Sequence, residues 1–180
     1  MDNFTTKNNN HNMPQRKRQR YKGYDYSNFG LYFITICTYN VKKIFGTVYK
    51  LSEFGQIAES ELTNLPERYD NKIDITIYSI MPNHIHFIIA INNENKDPAL
   101  NVSRIVGNYK AGVTRQIHEI DPDITVWQKS FYDHIIISER EFNNMTDYIY
   151  NNKMAHLVNT GVIDDTLESF YKFTDENIPR

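Results

Sequence analysis

Two histidines separated by one residue lie in the segment Met81–Phe87 and could hold a metal ion. His84 and His86 follow a Met-Pro-Asn turn and begin a hydrophobic stretch that ends at Ile91. Because side chains alternate between the two faces of a strand, both imidazoles would project from the same face. Neutral imidazole nitrogens at this spacing can bind one divalent cation. Hydrogen-bonded histidines in a purely structural strand are the alternative.

A second group of polar side chains lies on a predicted helix downstream. Ser138 and Glu141 form a capping box, which indicates that a helix begins there and runs to about Asn152. One stripe of this helix is apolar and consists of Phe142, Met145 and Ile149. The neighbouring stripe is polar and consists of Glu141, Asn144, Tyr148 and Asn152. Tyr148 is therefore expected to project beside the core, and a tyrosine that packs in the core is the alternative.

Strands and helices that alternate along the chain must position these side chains. The β-branched and aromatic segments predict strands over 31–38, 44–50, 73–80, 84–91 and 126–137. The short second strand is expected at an edge. Apolar residues at spacings of three and four predict two further helices, over 52–68 and 101–120. The sequence thus predicts an α+β fold of ferredoxin-like type, with a central antiparallel sheet and helices packed on it.

The composition is typical of one globular domain, with 180 residues of which 40% are hydrophobic and 23% charged. The formal net charge is −2, but basic residues concentrate before residue 50 and acidic residues predominate beyond Gly161. This asymmetry is typical of a polyanion-binding arm and a solvating tail. We therefore expect a flexible basic arm over 1–23, a folded domain over 24–157 and an acidic tail over 158–180 with a short helix near 164–171.

Secretion and membrane insertion are not expected from this sequence. Cys37 is the only cysteine, so no intramolecular disulfide can form and a reducing compartment fits best. The first residues contain no apolar signal segment, and the longest apolar run, 85–91, is too short to span a bilayer. We therefore expect a cytoplasmic protein.

The segment Met81–Phe87 closely resembles the signature of HUH transposases, in which the two histidines bind the catalytic metal. Tyr148-Ile149-Tyr150-Asn151-Asn152 resembles the single-tyrosine pattern, Tyr-Ile-x-x-Asn or Tyr-Ile-x-x-Gln. Other stretches resemble transposases related to those associated with repetitive extragenic palindromes, namely 23–26, 32–38, 126–128 and 131–136. The resemblance covers about residues 16–156. It departs at Lys153, where the family usually has proline.

The resemblance implies an endonuclease that cuts and rejoins single-stranded DNA. It implies that His84, His86 and Asn152 bind a divalent metal, Mg²⁺ or Mn²⁺. It also implies that Tyr148 is the nucleophile that forms a 5′-phosphotyrosine ester with the DNA. Tyr132 is the alternative nucleophile, although its place in a predicted strand disfavours it.

Basic and aromatic side chains would contact the DNA. The candidates for phosphate contacts and base stacking are Arg16, Lys17, Arg18, Arg20, Lys110, Arg115 and Trp127, each of which could equally have a surface or packing role. The expected partners are single-stranded or hairpin DNA and, by analogy with mobile relatives, a second copy in a homodimer. Two other functions stay open at this point: a replication initiator or relaxase of the same superfamily, and a catalytically inert RRM-like domain that binds nucleic acid.

Overall fold

The computed structural model describes residues 24–94 and 96–158, with side chains up to Asn152. Four strands form one antiparallel sheet in the order β2-β3-β1-β4: β1 (Gly30–Cys37), β2 (Ile73–Met81), β3 (His84–Ile91) and β4 (Tyr132–Ile136). The helices are α1 (Glu53–Thr63), α2 (Leu65–Arg68), α3 (Val102–His118) and α4 (Glu139–Val158). This strand order and connectivity confirm the predicted ferredoxin-like α+β fold.

The two faces of the sheet carry different residues because side chains alternate along each strand. On β3, one face is apolar and packs in the main core under α1 and α3, through Ile85, Phe87, Ile89 and Ile91. The other face carries His84 and His86, followed by a smaller apolar cluster that consists of Phe33, Ile88, Ile136, Met145 and Ile149. Since Met145 and Ile149 belong to α4, this helix covers the histidine face of the sheet.

The helix predicted over 52–68 is divided at Asn64, so the prediction of one continuous helix is wrong. Ser52 caps α1 as its side chain accepts a hydrogen bond of 3.1 Å from the backbone N–H of Gly55. Pro66 has no N–H to donate to the carbonyl of Leu62, and proline is tolerated only in the first turn of a helix. The chain therefore ends α1 and starts α2 with Pro66 in that first turn.

The segment 44–50 is a loop, so the predicted second strand is wrong. Within it, Gly46 makes only an isolated bridge to Leu51 and has a φ of 101°. The backbone N–H of Phe45 donates to the carbonyl of Pro82 at 3.0 Å, and its carbonyl accepts from Ser52 at 3.0 Å. These bonds direct the backbone to the turn before β3 and to the start of α1 instead of to a neighbouring strand.

The strand predicted over 126–137 is shorter than expected, because β4 contains only Tyr132–Ile136. Trp127 pairs with Thr38 in an isolated bridge. Between the bridge and β4, the carbonyls of Gln128 and Ser130 accept hydrogen bonds from the Lys110 ammonium. These carbonyls bond to α3 instead of to β1, so the segment between the bridge and β4 is not part of the strand.

The helix α4 begins as predicted and continues further than predicted. Its capping box is modified: the backbone N–H of Glu141 donates to Ser138 Oγ at 3.2 Å, whereas the Glu141 carboxylate accepts from the N–H of Ile137 at 3.0 Å. The helix extends past Asn152 to Val158. Lys153, unlike the proline that the family usually has there, retains the N–H that a continuing helix needs.

Several predictions concern residues outside the described ranges. These are the basic arm with Arg16, Lys17, Arg18 and Arg20, and the tail helix near 164–171. Within the described part of the chain, no helix combines the length and the apolar character that crossing a bilayer requires.

Phe87 is expected to be essential for stability. Its ring is fully buried in the main core, 6.3 Å from the ring of Tyr109. Phe87→Ala should lower the free energy of unfolding by about 3–5 kcal/mol, because it removes buried apolar surface and leaves a cavity. Denaturant unfolding measures this change. Phe29→Ala, at a ring that is 75% exposed, is the control and should change stability by less than about 0.5 kcal/mol; equal losses would contradict the core described here.

Candidate functional site

The two histidines lie side by side at the start of β3, on the face that α4 covers. Their ring centroids are 4.6 Å apart, and both side chains are buried. The ring of Phe33 stacks against His86 with a centroid distance of 5.4 Å. The strand thus presents two neighbouring imidazoles in surroundings from which bulk water is excluded.

Hydrogen bonds at Nδ1 orient both imidazoles. His86 Nδ1 lies 2.8 Å from Thr35 Oγ1, and His84 Nδ1 lies 2.7 Å from Asn83 Oδ1. Because an amide oxygen only accepts hydrogen bonds, the Nδ1–H of His84 is the donor, and this bond directs Nε2 of the ring away from Asn83. Metal-binding histidines are oriented by such bonds at the ring nitrogen that does not contact the metal.

The protonation state of His86 suits coordination. Burial of the ring, together with the neighbouring His84, holds the pKa of His86 well below its ordinary value. His86 is therefore neutral at physiological pH, and the neutral imidazole is the form that binds metal ions.

The helix α4 places Tyr148 against His86 and holds Asn152 next to that tyrosine. The ring centroid of Tyr148 is 5.3 Å from that of His86 and 6.1 Å from that of Phe33. One helical turn later, Asn152 Nδ2 donates to the Tyr148 hydroxyl oxygen at 3.3 Å. The structure therefore brings together four of the predicted site residues, which come from β3 and α4.

The side-chain oxygen of Asn152 is a candidate ligand atom. Asn152 is 4% exposed, and its Oδ1 is buried with no hydrogen-bond donor among the described residues. Burying an amide oxygen without a partner costs free energy. A cation bound at this point would supply the missing interaction.

The donor set of the site fits a divalent cation only when the amide is included. Among the side chains the structure describes, no group of three or more His, Cys, Asp or Glu residues could hold a metal ion. The two imidazoles therefore need a ligand of another type, and Asn152 is the buried amide that α4 holds next to Tyr148. Imidazole nitrogen and amide oxygen are both common ligands of divalent metals in proteins.

Tyr132 lies on the same face of the sheet as the histidines but further from them. It pairs with Thr35 of β1, and Thr35 in turn pairs with His86. One strand thus separates Tyr132 from the imidazole that Tyr148 contacts directly. The geometry favours Tyr148 over Tyr132 as the tyrosine of the site.

The sequence patterns did not indicate the residues that orient the histidines. Thr35 and Phe33 reach His86 only through the register of β1 on β3, which short-range patterns do not specify. Asn83 was assigned only to the turn before β3, with no role toward His84. Its position directly before His84 was the one available signal.

Three residues predicted to contact DNA lie on the α3 side of the sheet, opposite the histidine face. Lys110 and Arg115 belong to α3, which packs on the opposite face of the sheet. The Lys110 ammonium donates to the carbonyls of Gln128 and Ser130 at 2.6 and 3.3 Å, and burial lowers its pKa. Trp127 Nε1 donates to the carbonyl of Lys110 at 3.1 Å. Lys110 and Trp127 therefore hold the loop before β4 against α3, whereas Arg115 is exposed.

Comparison with known proteins places this site within a family. The sequence profile of the IS200-like transposases matches residues 33–152, a range that includes both histidines, Tyr148 and Asn152. An uncharacterized protein of Haemophilus influenzae is 31% identical, over 76% of this chain and 87% of that protein. A second Haemophilus influenzae protein, which carries the name of a REP-associated tyrosine transposase, is 23% identical, over 82% of this chain and 84% of its own length.

A solved structure has the same fold. It is a REP-associated tyrosine transposase bound to a REP hairpin, and it superposes with a TM-score of 0.55 at 20% sequence identity. The match covers 79% of this chain and 74% of that one.

Proposed function

Since this chain belongs to the IS200-like transposase family, we propose that it cuts and rejoins single-stranded DNA with Tyr148 as the nucleophile. The observation that supports the proposal is the contact between a phenol on α4 and an imidazole on β3, with the amide of Asn152 beside them. A phenol and two oriented imidazoles on opposite sides of one buried site are suited to phosphoryl transfer. Family membership favours a transposase over a replication initiator or relaxase.

In the proposed reaction, the Tyr148 oxygen attacks the phosphorus of a DNA phosphodiester. The bond between phosphorus and O3′ breaks as the bond to the phenol oxygen forms. The phenol proton passes to solvent and the departing O3′ takes up a proton, which leaves a 5′-phosphotyrosine and a free 3′-hydroxyl. Because the ester conserves the phosphodiester bond, attack by a 3′-hydroxyl rejoins the DNA without ATP.

His84, His86 and Asn152 are the residues that would hold a divalent ion, Mg²⁺ or Mn²⁺. When bound, such an ion polarises the scissile phosphate and stabilises the charge that develops on it. The chain itself fixes the imidazoles through Thr35 and Asn83 and keeps His86 neutral. It also holds Tyr148 beside His86, so little reorientation is needed before attack.

Hairpin DNA with single-stranded flanks is the proposed substrate, because the solved relative is bound to a hairpin. The test uses labelled hairpins with randomised flanks, incubated with the full chain and Mn²⁺. We expect a protein–DNA adduct that survives denaturation, is lost with EDTA, and maps by mass spectrometry to the peptide that contains Tyr148. Hairpin binding without an adduct for any flank would instead identify an inert nucleic-acid-binding domain. Light scattering on the same samples tests the predicted homodimer.

Thr35→Val is expected to weaken metal binding without unfolding the strand. Valine keeps the branched shape but removes the hydroxyl that bonds His86 Nδ1, and loss of such a bond typically lowers metal affinity about 10- to 100-fold. Calorimetric titration with Mn²⁺ measures the change. Thr35→Ser should restore most of the affinity, and Thr76→Val, at an exposed position of β2, should leave it unchanged. Wild-type affinity in Thr35→Val would show that this bond does not orient the ligand.

A further inference from the structure

The segment 39–50 between β1 and α1 forms a basic and aromatic surface, called here the lysine–tyrosine loop. It contains three lysines and two tyrosines and no acidic residue: Lys42, Lys43, Lys50, Tyr39 and Tyr49. All five side chains are exposed, with Tyr39 at 42% and Tyr49 at 71%. Exposed aromatic rings among lysines are the combination that binds single-stranded nucleic acid, because rings stack on bases while ammonium groups contact phosphates.

Backbone hydrogen bonds attach this loop to the turn that precedes the histidines. The N–H of Thr38, directly before the loop, donates to the carbonyl of Asn83 at 2.9 Å. The Thr38 hydroxyl lies between that carbonyl and the carbonyl of Lys42, at 2.9 and 2.8 Å. The N–H of Phe45 donates to the carbonyl of Pro82 at 3.0 Å. Because Asn83 directly precedes His84, the exposed side chains of the loop border the end of the sheet at which the site begins.

The loop has a rigid base, and its lysines form no ion pair with the described residues. Phe45 is fully buried, and its ring lies 5.4 Å from that of Trp127. The ion pairs among the described residues are Arg68 with Glu61 and His134 with Glu141, and they leave the three loop lysines out. A polyanion can therefore bind these ammonium groups without displacing an acidic side chain from the described part of the chain.

The backbone of the loop is strained next to these side chains. Asn40 and Val41 have φ values of 51° and 56°. A β-branched residue such as Val41 rarely adopts a positive φ, because its side chain crowds the backbone. Strain of this kind tends to persist where it sets the direction of functional groups. Here it lies between the exposed Tyr39 and Lys42.

We propose that the lysine–tyrosine loop binds the single-stranded DNA that flanks the cleaved phosphate and leads it to the histidine end of the sheet. The lysines contact backbone phosphates, and the two tyrosines stack on bases. The identity of the ligand as DNA rests on the proposed function, whereas the binding surface rests on the loop itself.

The lysines are tested by the salt dependence of binding. The triple variant Lys42→Gln, Lys43→Gln, Lys50→Gln is compared with wild type by fluorescence anisotropy on a labelled thymidine oligonucleotide. Each lost phosphate contact lowers the slope of log K against log salt by about 0.7, so the slope should fall by about 2. The matched control removes three charges at the opposite end of the sheet, through Lys72→Gln, Lys96→Gln and Arg104→Gln. A fall of the same size in both variants would overturn the proposal.

The tyrosines are tested by their preference for unpaired bases. Tyr39→Ala with Tyr49→Ala should weaken oligonucleotide binding by about 5- to 150-fold for each base that loses its stacking partner, and should leave binding to blunt duplex unchanged. Tyr150→Ala, at an exposed ring on α4, is the control and should bind as wild type does. An equal loss on duplex and single strand would overturn the stacking role.

The adduct assay separates this proposal from the proposed function. Normal binding by the loop variants, together with adduct formation in wild type, would refute the loop and keep the nuclease. Weakened binding by the loop variants, with no adduct in wild type, would refute the nuclease and keep the loop as a binding surface. Thermal unfolding of each variant confirms that the exposed substitutions leave the fold intact.

Discussion

Tyr148→Phe is expected to abolish the covalent protein–DNA adduct while hairpin binding and the fold are retained. The substitution removes the oxygen that would bond to phosphorus, and loss of a nucleophile lowers turnover on the order of 10⁴-fold or more. The phenyl ring can keep the contacts with His86 and Phe33, whereas the hydrogen bond from Asn152 is lost. Denaturing gels with labelled DNA measure the adduct, and anisotropy measures binding.

Two other tyrosines provide the controls for this experiment. Tyr150 lies two residues further along α4 and is 67% exposed, so Tyr150→Phe should form the adduct as wild type does. Tyr132→Phe should also retain it, because Tyr132 is one strand further from His86. A wild-type level of adduct in Tyr148→Phe would disprove the assignment, and its loss in Tyr132→Phe would transfer the role to that residue.

His86→Ala is expected to remove the dependence of cleavage on divalent metal together with most of the activity. A bound metal ion contributes several kcal/mol of charge stabilisation, which corresponds to a decrease of about 10³-fold in rate. Because a ligand that binds only the folded state raises its stability, Mn²⁺ should raise the Tm of wild type. That increase should be absent in His86→Ala.

The thermal measurement keeps this prediction informative even if the substitution lowers stability. It compares each protein with and without Mn²⁺, so a lower starting Tm does not affect the result. His118→Ala is the matched control, since His118 is exposed on α3 and its ring bonds only the carbonyl of Ile124 among the described residues. A full Mn²⁺ response in His86→Ala would exclude His86 as a ligand.

The sequence predicted the parts of the fold that have a strong local pattern. β3 is one example, since its hydrophobic stretch, 85–91, follows the Met-Pro-Asn turn and no further turn residue interrupts it. α3 is another, because an apolar stripe and the cap at Asn101 define it. The strand predicted over 44–50 is wrong because β-branched and aromatic residues also occur in loops that have a buried anchor. In this loop the anchor is Phe45.

The contacts that complete the site depend on long-range geometry. Thr35 and His86 are 51 positions apart, and only the pairing of β1 with β3 brings them together. Charge alone could not reveal that the Lys110 ammonium binds two backbone carbonyls. The proximity of Tyr148 to His86 required α4 to fold back over one particular face, which periodicity indicates but does not specify.

Tyr148 and Asn152 are neighbours on consecutive turns of one helix, and this spacing has a mechanical consequence. The helix is a stiff rod, so the phenol and the amide cannot shift independently of each other. A ligand that fixed the amide would therefore also fix the height of the phenol above the sheet. The position of α4 over the sheet thus governs the alignment of the attacking oxygen.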